Sequence, residues 1–419
     1  MERRAWARYV LVAGAVLLVA AAVAGFANRS WISAQLSGVA VLSIVLEAPL
    51  FSRTSEFVTA EPRAEERRVS GVPATIVRPR GEGPHPTVVF MNGATPAGRD
   101  EPAVGLLAEG LARSGYAVYV PDLPGLRSGE ITDRTLSSAV EVSAEAAEEP
   151  DTAGGRVSLV GVSVGASIAL LAAGEPELEG RVPIVAGLAP YADLREVLRL
   201  ATTGTYRAGE RTFDYEVPDY LRLVAARSLA AMLPPEDGER LLAVLPETEH
   251  YSPPEEDTPD PLAALPALRV VAGDELEPGT LEVIELLVNE DPGRFDRLYT
   301  DLSPRLQAEA RALSPVSGAR RLAVPVELVS PPRDRYFPVE GSRELVREAP
   351  EARLTVTPAI SHAAPVPALD DVPALLRLNG FLVRTLREAR LAPGGESAPT
   401  ASGGTGTPLV VGVKLSGEP

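Results

Sequence analysis

The chain has 419 residues, of which 45% are hydrophobic and 23% charged, which suffices for one large globular domain with additions or for two domains. Its formal net charge of −17 argues against a nucleic-acid partner, because binding to phosphates requires a basic surface. The absence of cysteine excludes disulfides, thiol nucleophiles and cysteine-ligated metals, and 3 histidines leave little room for a histidine-rich metal site.

The first 30 residues carry the pattern of a membrane segment. Arg3, Arg4 and Arg8 precede an uninterrupted apolar run over residues 9–27. As a helix with a rise of 1.5 Å per residue, this run is about 28 Å long, close to the thickness of the hydrocarbon core. Arginines before the run predict an inside N-terminus, so we expect an anchor that places the rest of the chain outside the cytoplasm. The alternative is a cleaved signal peptide and secretion.

A second apolar stretch covers residues 31–50. It is interrupted by polar residues, which are Gln35, Ser37, Ser43 and Glu47. This composition favours an amphipathic lead-in helix, followed by a linker up to residue 60, over a second membrane span. If the stretch did span the membrane, the rest of the chain would return to the cytoplasmic face.

From residue 69 onward, short apolar segments typical of buried strands alternate with helical segments. After an extended pair over residues 69–77, strands are predicted at residues 86–91, 116–120, 156–160, 182–188, 324–329 and 352–356. Helices are predicted at residues 103–114, 133–149, 166–173, 341–348 and 373–391, with Asp133 as the N-cap of the second. This alternation predicts an α/β fold with a mostly parallel sheet and helices on both faces.

The alternation is interrupted between residues 193 and 321, where the sequence is helical and acidic. This stretch is too long for a plain connection, and we interpret it as a helical lid inserted before the next strand. The sheet domain would then comprise residues 61–192 and 322–391. Residues 392–419 are rich in Gly, Ser, Thr and Pro and predict a disordered tail.

The motif Gly161-Val-Ser163-Val-Gly165 follows one of these strands directly and precedes an alanine-rich helix. This strand–turn–helix setting is the one that a nucleophile elbow requires. Ser163 is expected to sit in a strained turn, and Gly161 and Gly165 are needed because larger side chains there would collide. The alternative is a glycine-rich helix entry without chemistry.

A serine hydroxyl requires a base, and only three histidines compete for that role. His85 precedes a strand at the wrong end of the sheet, and His250 falls in the acidic insertion. His362 follows the last strand, at the carboxyl edge where open α/β sheets build their sites. We therefore predict His362 as the base, with a histidine in a surface loop as the alternative.

The residue that orients this histidine is predicted to be Asp334, which follows the strand at residues 324–329. The order Ser163, Asp334, His362 matches the chain order expected with a nucleophile elbow. Asp193, which follows the strand at residues 182–188, is the main alternative.

An oxyanion hole needs two backbone N–H groups aimed at the carbonyl oxygen. One is expected from Val164, directly after the serine, and the other from Ala94 in the loop after the first core strand. Gly93 allows the chain to turn sharply there. The alternative is an ordinary turn between strand and helix.

The segments that carry these motifs resemble the α/β-hydrolase superfamily, and in particular its dienelactone hydrolase, acyl-peptidase and esterase-like branch, over about residues 69–387. These segments are residues 88–98, 116–125, 157–173, 324–339 and 360–363. The resemblance implies an α/β-hydrolase fold and hydrolysis of carboxylic esters through an acyl-enzyme, with no metal or other cofactor. Two departures are visible: Asn92 stands where many relatives have histidine, and residues 330–333 lack the His-Gly often found before the acid.

These observations predict a membrane-tethered, extracytoplasmic esterase for a small-molecule ester or acyl substrate. Substrate contacts are expected from Asn92 and from four aromatic residues of the insertion, although packing in the core is the alternative for each aromatic. These residues are Tyr206, Phe213, Tyr215 and Tyr220. Two further hypotheses remain open: a peptidase, thioesterase or acyltransferase that uses the same residues, and a non-catalytic binding protein with a hydrolase fold.

Overall fold

The computed structural model describes residues 61–251, 259–272, 275–362 and 371–390, together with the single positions Ala34 and Gly38. Ten strands lie in these ranges. They are β1 (Arg63–Val69), β2 (Val72–Arg78), β3 (His85–Met91), β4 (Ala117–Pro121), β5 (Thr152–Val162), β6 (Val185–Leu188), β7 (Thr205–Ala208), β8 (Arg211–Asp214), β9 (Val326–Ser330) and β10 (Ala352–Val356).

Eight of the strands form one sheet in the order β1-β2-β4-β3-β5-β6-β9-β10, and β7 and β8 form a separate hairpin. Strand β2 is antiparallel to both of its neighbours, whereas every pair from β4 to β10 is parallel. All residues of β4 and β9 are buried, as expected for parallel strands that are covered on both faces.

Twelve α-helices surround this sheet within the described ranges. They are α1 (Pro102–Arg113), α2 (Asp133–Glu148), α3 (Val164–Ala172), α4 (Leu194–Thr203), α5 (Asp219–Ala231), α6 (Pro235–Val244), α7 (Leu265–Ala272), α8 (Pro278–Leu287), α9 (Pro292–Asp301), α10 (Pro304–Ala312), α11 (Val339–Glu348) and α12 (Val372–Arg390).

The helices cover both faces of the sheet, and strand β3 shows how the sequence divides them. Val88 and Phe90 pack in one hydrophobic cluster with α1 and α12. Val89 and Met91, which point to the opposite face, belong to a larger cluster with α2, α3 and α11. The predicted fold class, a mostly parallel sheet with helices on both sides, is therefore confirmed.

Two local predictions need correction. The N-cap of α2 is Thr132 and not Asp133, because the side chains of Thr132 and Thr135 form a reciprocal capping box and Asp133 is the first helical residue. Strand β6 begins only at Val185, three residues after the predicted start at residue 182.

The segment between β6 and β9 contains α4 to α10 and the hairpin of β7 and β8. It is tied to the loop that follows β4. The guanidinium of Arg227, on α5, donates to the carbonyl of Ser128 over 2.6 Å and to Glu130 over 2.7 Å. Ser228 Oγ donates to the carbonyl of Gly129 over 2.9 Å. Because β4 is parallel to β3 and β5, these bonds hold the insertion over the carboxyl edge of the sheet.

The predicted membrane anchoring and extracytoplasmic location need a larger correction. No helix in the described ranges is long and apolar enough to cross a membrane. The longest of them, α12, has 19 residues and carries charged side chains along its length. Three predicted segments lie outside the described residues: the apolar run that suggested an anchor, the lead-in over residues 31–60 and the tail at residues 392–419. Ala34 and Gly38 are the two exceptions within the lead-in.

Candidate active site

Ser163 lies at the tight turn between β5 and α3. Its φ of 56° and ψ of −126° place a non-glycine residue in a strained conformation. A Cβ on Gly161 would lie 2.5 Å from the carbonyl carbon of Gly165, and one on Gly165 would lie 2.6 Å from that of Met91. Both glycines of the motif are therefore required by close approaches of the backbone, and the serine projects at the carboxyl edge of the sheet.

The structure brings Ser163, His362 and Asp334 into one hydrogen-bonded chain. Ser163 Oγ lies 2.8 Å from His362 Nε2, and His362 Nδ1 lies 2.8 Å from both Asp334 oxygens. The side chain of Asp334 is fully buried, whereas that of His362 keeps 11% of its surface exposed. A serine, an imidazole and a buried carboxylate in this order are the parts of a proton relay that activates a hydroxyl.

The loop after β9 fixes Asp334 in this position. The carboxylate accepts hydrogen bonds from the backbone N–H groups of Tyr336 (2.8 Å) and Phe337 (3.1 Å). The rings of these two residues also pack against the imidazole, with centroids 4.6 Å and 5.4 Å from it. The same turn thus orients the acid and confines the histidine.

The residues considered as an alternative acid or base do not contact Ser163 or His362. Asp193 is the N-cap of α4, where it accepts from the N–H of Arg195 over 2.9 Å. His85 is the first residue of β3, at the amino end of that strand, and His250 lies in the 3-10 turn Thr248–Tyr251 of the insertion. Among the described histidines, only His362 contacts the hydroxyl of Ser163.

The loop after β3 lies directly beside Ser163. A Cβ on Gly93 would be 3.1 Å from Ser163 Cβ, so a larger residue would force the loop or Ser163 to move by a few tenths of an ångström. Among the described residues, the loop, turn and cap hydrogen bonds include none from the backbone N–H of Ala94 or of Val164. Val164 follows Ser163 directly and Ala94 follows Gly93, so these two N–H groups remain the candidates for an oxyanion hole.

The side chain of Asn92 braces this loop. Its Nδ2 donates to the carbonyl of Gly98 over 2.7 Å, and its Oδ1 accepts from the N–H of Gly93 over 2.8 Å. The hydroxyl of Tyr220, on α5, donates to the carbonyl of Ala94 over 3.1 Å. Asn92 lines the cavity described below, but both ends of its amide are used within the loop.

The family of the protein follows from a comparison with family models. The model described as "Alpha/beta hydrolase family" matches residues 88–377, which include the elbow, the acid and the histidine. The chain belongs to the alpha/beta hydrolase family. A search of curated proteins finds no match.

Solved structures similar to this hydrolase include Est1E from Butyrivibrio proteoclasticus, at 15% identity and a TM-score of 0.43, covering 78% of this chain and 98% of that one. A second is the dienelactone hydrolase from Anabaena variabilis, at 14% identity and a TM-score of 0.40, covering 78% and 97%. A third is a 2,6-dihydroxy-pseudo-oxynicotine hydrolase, at 17% identity and a TM-score of 0.40, covering 84% and 76%.

A cavity of about 540 Å³ opens beside Ser163 in this hydrolase. Part of its wall comes from the insertion and from the loop after β9, whose lining residues are Tyr220, Leu221, Val224, Arg335, Tyr336 and Phe337. Most of the wall is aliphatic or aromatic, and apart from His362 the described lining residues include two charged ones, Glu101 and Arg335. Such a wall suits an apolar group of a ligand.

Of the four aromatic residues expected to contact substrate, only Tyr220 lines this cavity. Tyr206 is buried in the core cluster, and Phe213 lies on the β7–β8 hairpin beneath the Arg211 guanidinium, 4.9 Å away. The Tyr215 hydroxyl points to Glu340 over 3.4 Å, and burial together with that carboxylate raises the pKa of Tyr215 to about 12. These three residues do not line this cavity, because packing and contacts with charged side chains hold them elsewhere.

The described residues contain no group of three or more His, Asp or Glu side chains that could hold a metal ion.

The bracing role of Asn92 leads to a testable prediction. Replacing Asn92 with Ala leaves the N–H of Gly93 without its partner, and the buried carbonyl of Gly98 keeps only its 3.3 Å bond from the N–H of Glu101, so the loop that carries the Ala94 N–H should shift. A shift of about 1 Å at such a site costs roughly 100-fold in rate. We expect kcat for ester turnover to fall by about that factor, with little change in KM.

Asn289→Ala is the matched control, because Asn289 is also a buried asparagine that braces a loop of the insertion. An equal loss of kcat in both variants would contradict the specific role of Asn92 in bracing the loop after β3.

Proposed function

We propose that this alpha/beta hydrolase is a serine carboxylesterase that uses Ser163, His362 and Asp334. The observation that supports the proposal most directly is the continuous chain of 2.8 Å contacts from Asp334 through His362 to Ser163, beside a largely apolar cavity. Ser163 Oγ attacks the ester carbonyl while His362 Nε2 accepts its proton. Asp334 holds the imidazole and stabilises its cationic form.

The tetrahedral intermediate carries a negative charge on the former carbonyl oxygen. The N–H groups of Ala94 and Val164 stabilise that oxyanion. Collapse of the intermediate breaks the bond to the alkoxide, which leaves as the alcohol after taking the proton from His362. A water molecule then attacks the acyl-enzyme with His362 again as the base, which releases the acid and restores the Ser163 hydroxyl.

The helical insertion is proposed to act as a lid on this site. It covers the carboxyl edge of the sheet and supplies Tyr220, Leu221 and Val224 to the cavity. Excluding water over the reacting carbonyl strengthens the charge interactions on which the mechanism depends.

A substrate panel tests the proposal against its alternatives. Purified protein is assayed with p-nitrophenyl esters, with matched p-nitroanilides as peptide-type substrates, and with thioesters, and is separately labelled with a fluorophosphonate. We expect labelling and ester turnover, because the cavity offers an apolar wall for an acyl group but few groups that would bind a peptide backbone. Turnover of anilides or thioesters alone would favour the peptidase or thioesterase, and the absence of both labelling and turnover would favour a binding protein.

A further inference from the structure

The cavity does not end beneath the insertion but continues down one face of the sheet. The strand residues that line it beyond Ser163 are Val162, Val160 and Ser158 of β5, with Phe90 and Val88 of the neighbouring β3. The opposite wall comes from two helices, whose lining residues are Val104, Leu107 and Leu111 of α1 and Leu378, Phe381, Leu382, Thr385, Leu386 and Ala389 of α12. Among the described residues, the cavity is thus a channel between the sheet, α1 and α12, and Ala34 is buried in the same hydrophobic cluster.

The burial of Val160 supports this description. Val160 lies in the centre of the sheet, paired with Phe90 on one side and Ala186 on the other. A residue in that position is normally fully buried when helices cover both faces. Val160 nevertheless stays only partly buried, as does Leu107 on the facing helix. The space above Val160 is therefore not filled by the described side chains.

Two unpartnered hydroxyls mark the deep end of the channel. Ser158 is 1% exposed and Thr385 is 6% exposed, and the hydroxyl of each has no hydrogen-bond partner. Both residues line the channel. Thr385 precedes Leu386, whose carbonyl accepts a hydrogen bond from the hydroxyl of Tyr116, directly before β4 begins. This is the amino edge of the sheet, opposite Ser163.

The length of the channel follows from two independent elements. Ser158 is five residues before Ser163, which corresponds to roughly 16 Å at about 3.3 Å per strand residue. Leu378 to Ala389 on α12 covers roughly 16 Å at about 1.5 Å per helical residue. An extended chain advances about 1.2 Å per bond, so the channel holds about 13 bonds.

We propose that this channel binds the acyl chain of the substrate, and that the preferred substrates are esters of unbranched acids with about 12 to 14 carbons. The inference rests on the proposed esterase function. With the carbonyl carbon at Ser163, the chain would run past Val162 and Val160 and end near Ser158 and Thr385. The alcohol would leave on the side of Arg335, which lines the cavity and is exposed to solvent. Residues of β5 that share this face lie about 6.7 Å apart, so each successive lining residue corresponds to a longer acyl chain by that distance.

The test compares p-nitrophenyl esters from butanoyl to hexadecanoyl, each below its micellar concentration. For the unmodified protein we expect kcat/KM to be at least 10-fold higher with the dodecanoyl than with the butanoyl ester, and to fall beyond about 14 carbons. Val160→Phe fills the channel about 10 Å from Ser163, at roughly three strand residues of 3.3 Å each. We expect it to lower kcat/KM for the dodecanoyl ester at least 10-fold and to leave that for the butanoyl ester within 2-fold.

Two further variants keep this test decisive. Leu107→Phe narrows the channel from the helical wall and should reproduce the loss if Val160→Phe fails to fold. Val346→Phe is the matched control, because Val346 is a partly buried valine on α11 that does not line the channel, and its chain-length profile should equal that of the unmodified protein.

A binding measurement separates failure of the inference from failure of the proposed function. Ser163→Ala should bind dodecanoate in a calorimeter at least 10-fold more tightly than the doubly substituted Ser163→Ala, Val160→Phe protein. Turnover of butanoyl ester with a profile that falls for every longer chain would overturn the channel and leave the esterase intact. Binding of dodecanoate without turnover of any ester would instead overturn the esterase and keep the channel.

Discussion

Replacing Ser163 with Ala is expected to lower kcat/KM for a p-nitrophenyl ester by about 10⁴- to 10⁶-fold and to abolish labelling by a fluorophosphonate. The substitution removes the single oxygen that lies 2.8 Å from His362 Nε2. The residual rate would come from water in a site that still holds the Ala94 and Val164 N–H groups. The fold should be retained, because the Ser163 hydroxyl caps no helix and its backbone N–H bond to Leu188 is unaffected.

Ser167→Ala is the matched control for this prediction. Ser167 lies on α3, one turn after Ser163, and its hydroxyl donates to the carbonyl of Tyr191 over 2.9 Å. Its loss removes a buried hydrogen bond, which costs about 1 kcal/mol of stability, but leaves the relay untouched. Labelling and turnover should persist in Ser167→Ala. Labelling that persists in Ser163→Ala would place the nucleophile at another residue.

The elbow was predictable from the sequence because its constraints are local. Gly161, Ser163 and Gly165 meet within one turn, and the strand before and the helix after are visible as an apolar segment and an alanine-rich one. His362 was predictable for a different reason. Only three histidines exist, and the strand order alone decides which of them lies at the carboxyl edge.

The choice of Asp334 over Asp193 depended on chain order and not on geometry. What holds Asp334 is a turn in which the N–H groups of Tyr336 and Phe337 point back at the carboxylate. Such a turn has no simple sequence pattern. The aromatic rings that confine His362 come from the same two residues, and nothing in the sequence distinguished them from other aromatics.

The insertion was visible as an interruption of the α/β alternation, but its contacts were not. Tyr220 reaches the carbonyl of Ala94, 126 positions earlier in the chain, whereas Tyr206, only 14 positions before Tyr220, is buried in the core. Which face of a short helix meets the sheet domain is decided by such long-range contacts. The channel could not be predicted from the sequence either. Alternating apolar residues of β5 predict a buried face whether or not a helix fills the space above that face.

Asp334→Asn is expected to lower kcat by about 10⁴-fold while leaving the fold intact. The two oxygens of Asp334 accept from His362 Nδ1 and from two backbone N–H groups, so the carboxylate serves only as an acceptor. An amide of the same shape must turn its NH₂ toward one of these donors. If it turns toward Nδ1, the imidazole carries its proton on Nε2 and can no longer accept one from Ser163. The measurement is the rate of fluorophosphonate labelling beside kcat for an ester, because both depend on the same proton transfer.

Two aspartate variants complete this prediction. Asp237→Asn controls for the loss of a buried carboxylate, since Asp237 is 4% exposed and accepts from Thr280 Oγ1 over 2.6 Å within the insertion. The stability of this variant should fall while its kcat stays unchanged.

Asp193→Asn tests the alternative acid: it removes the negative charge but keeps a side-chain oxygen that can cap α4, so it should change stability little and should not slow labelling. A 10⁴-fold loss in Asp193→Asn together with normal rates in Asp334→Asn would reassign the acid. Because Asp193 bonds to Arg195 and Ser314 rather than to His362, we expect the opposite pattern.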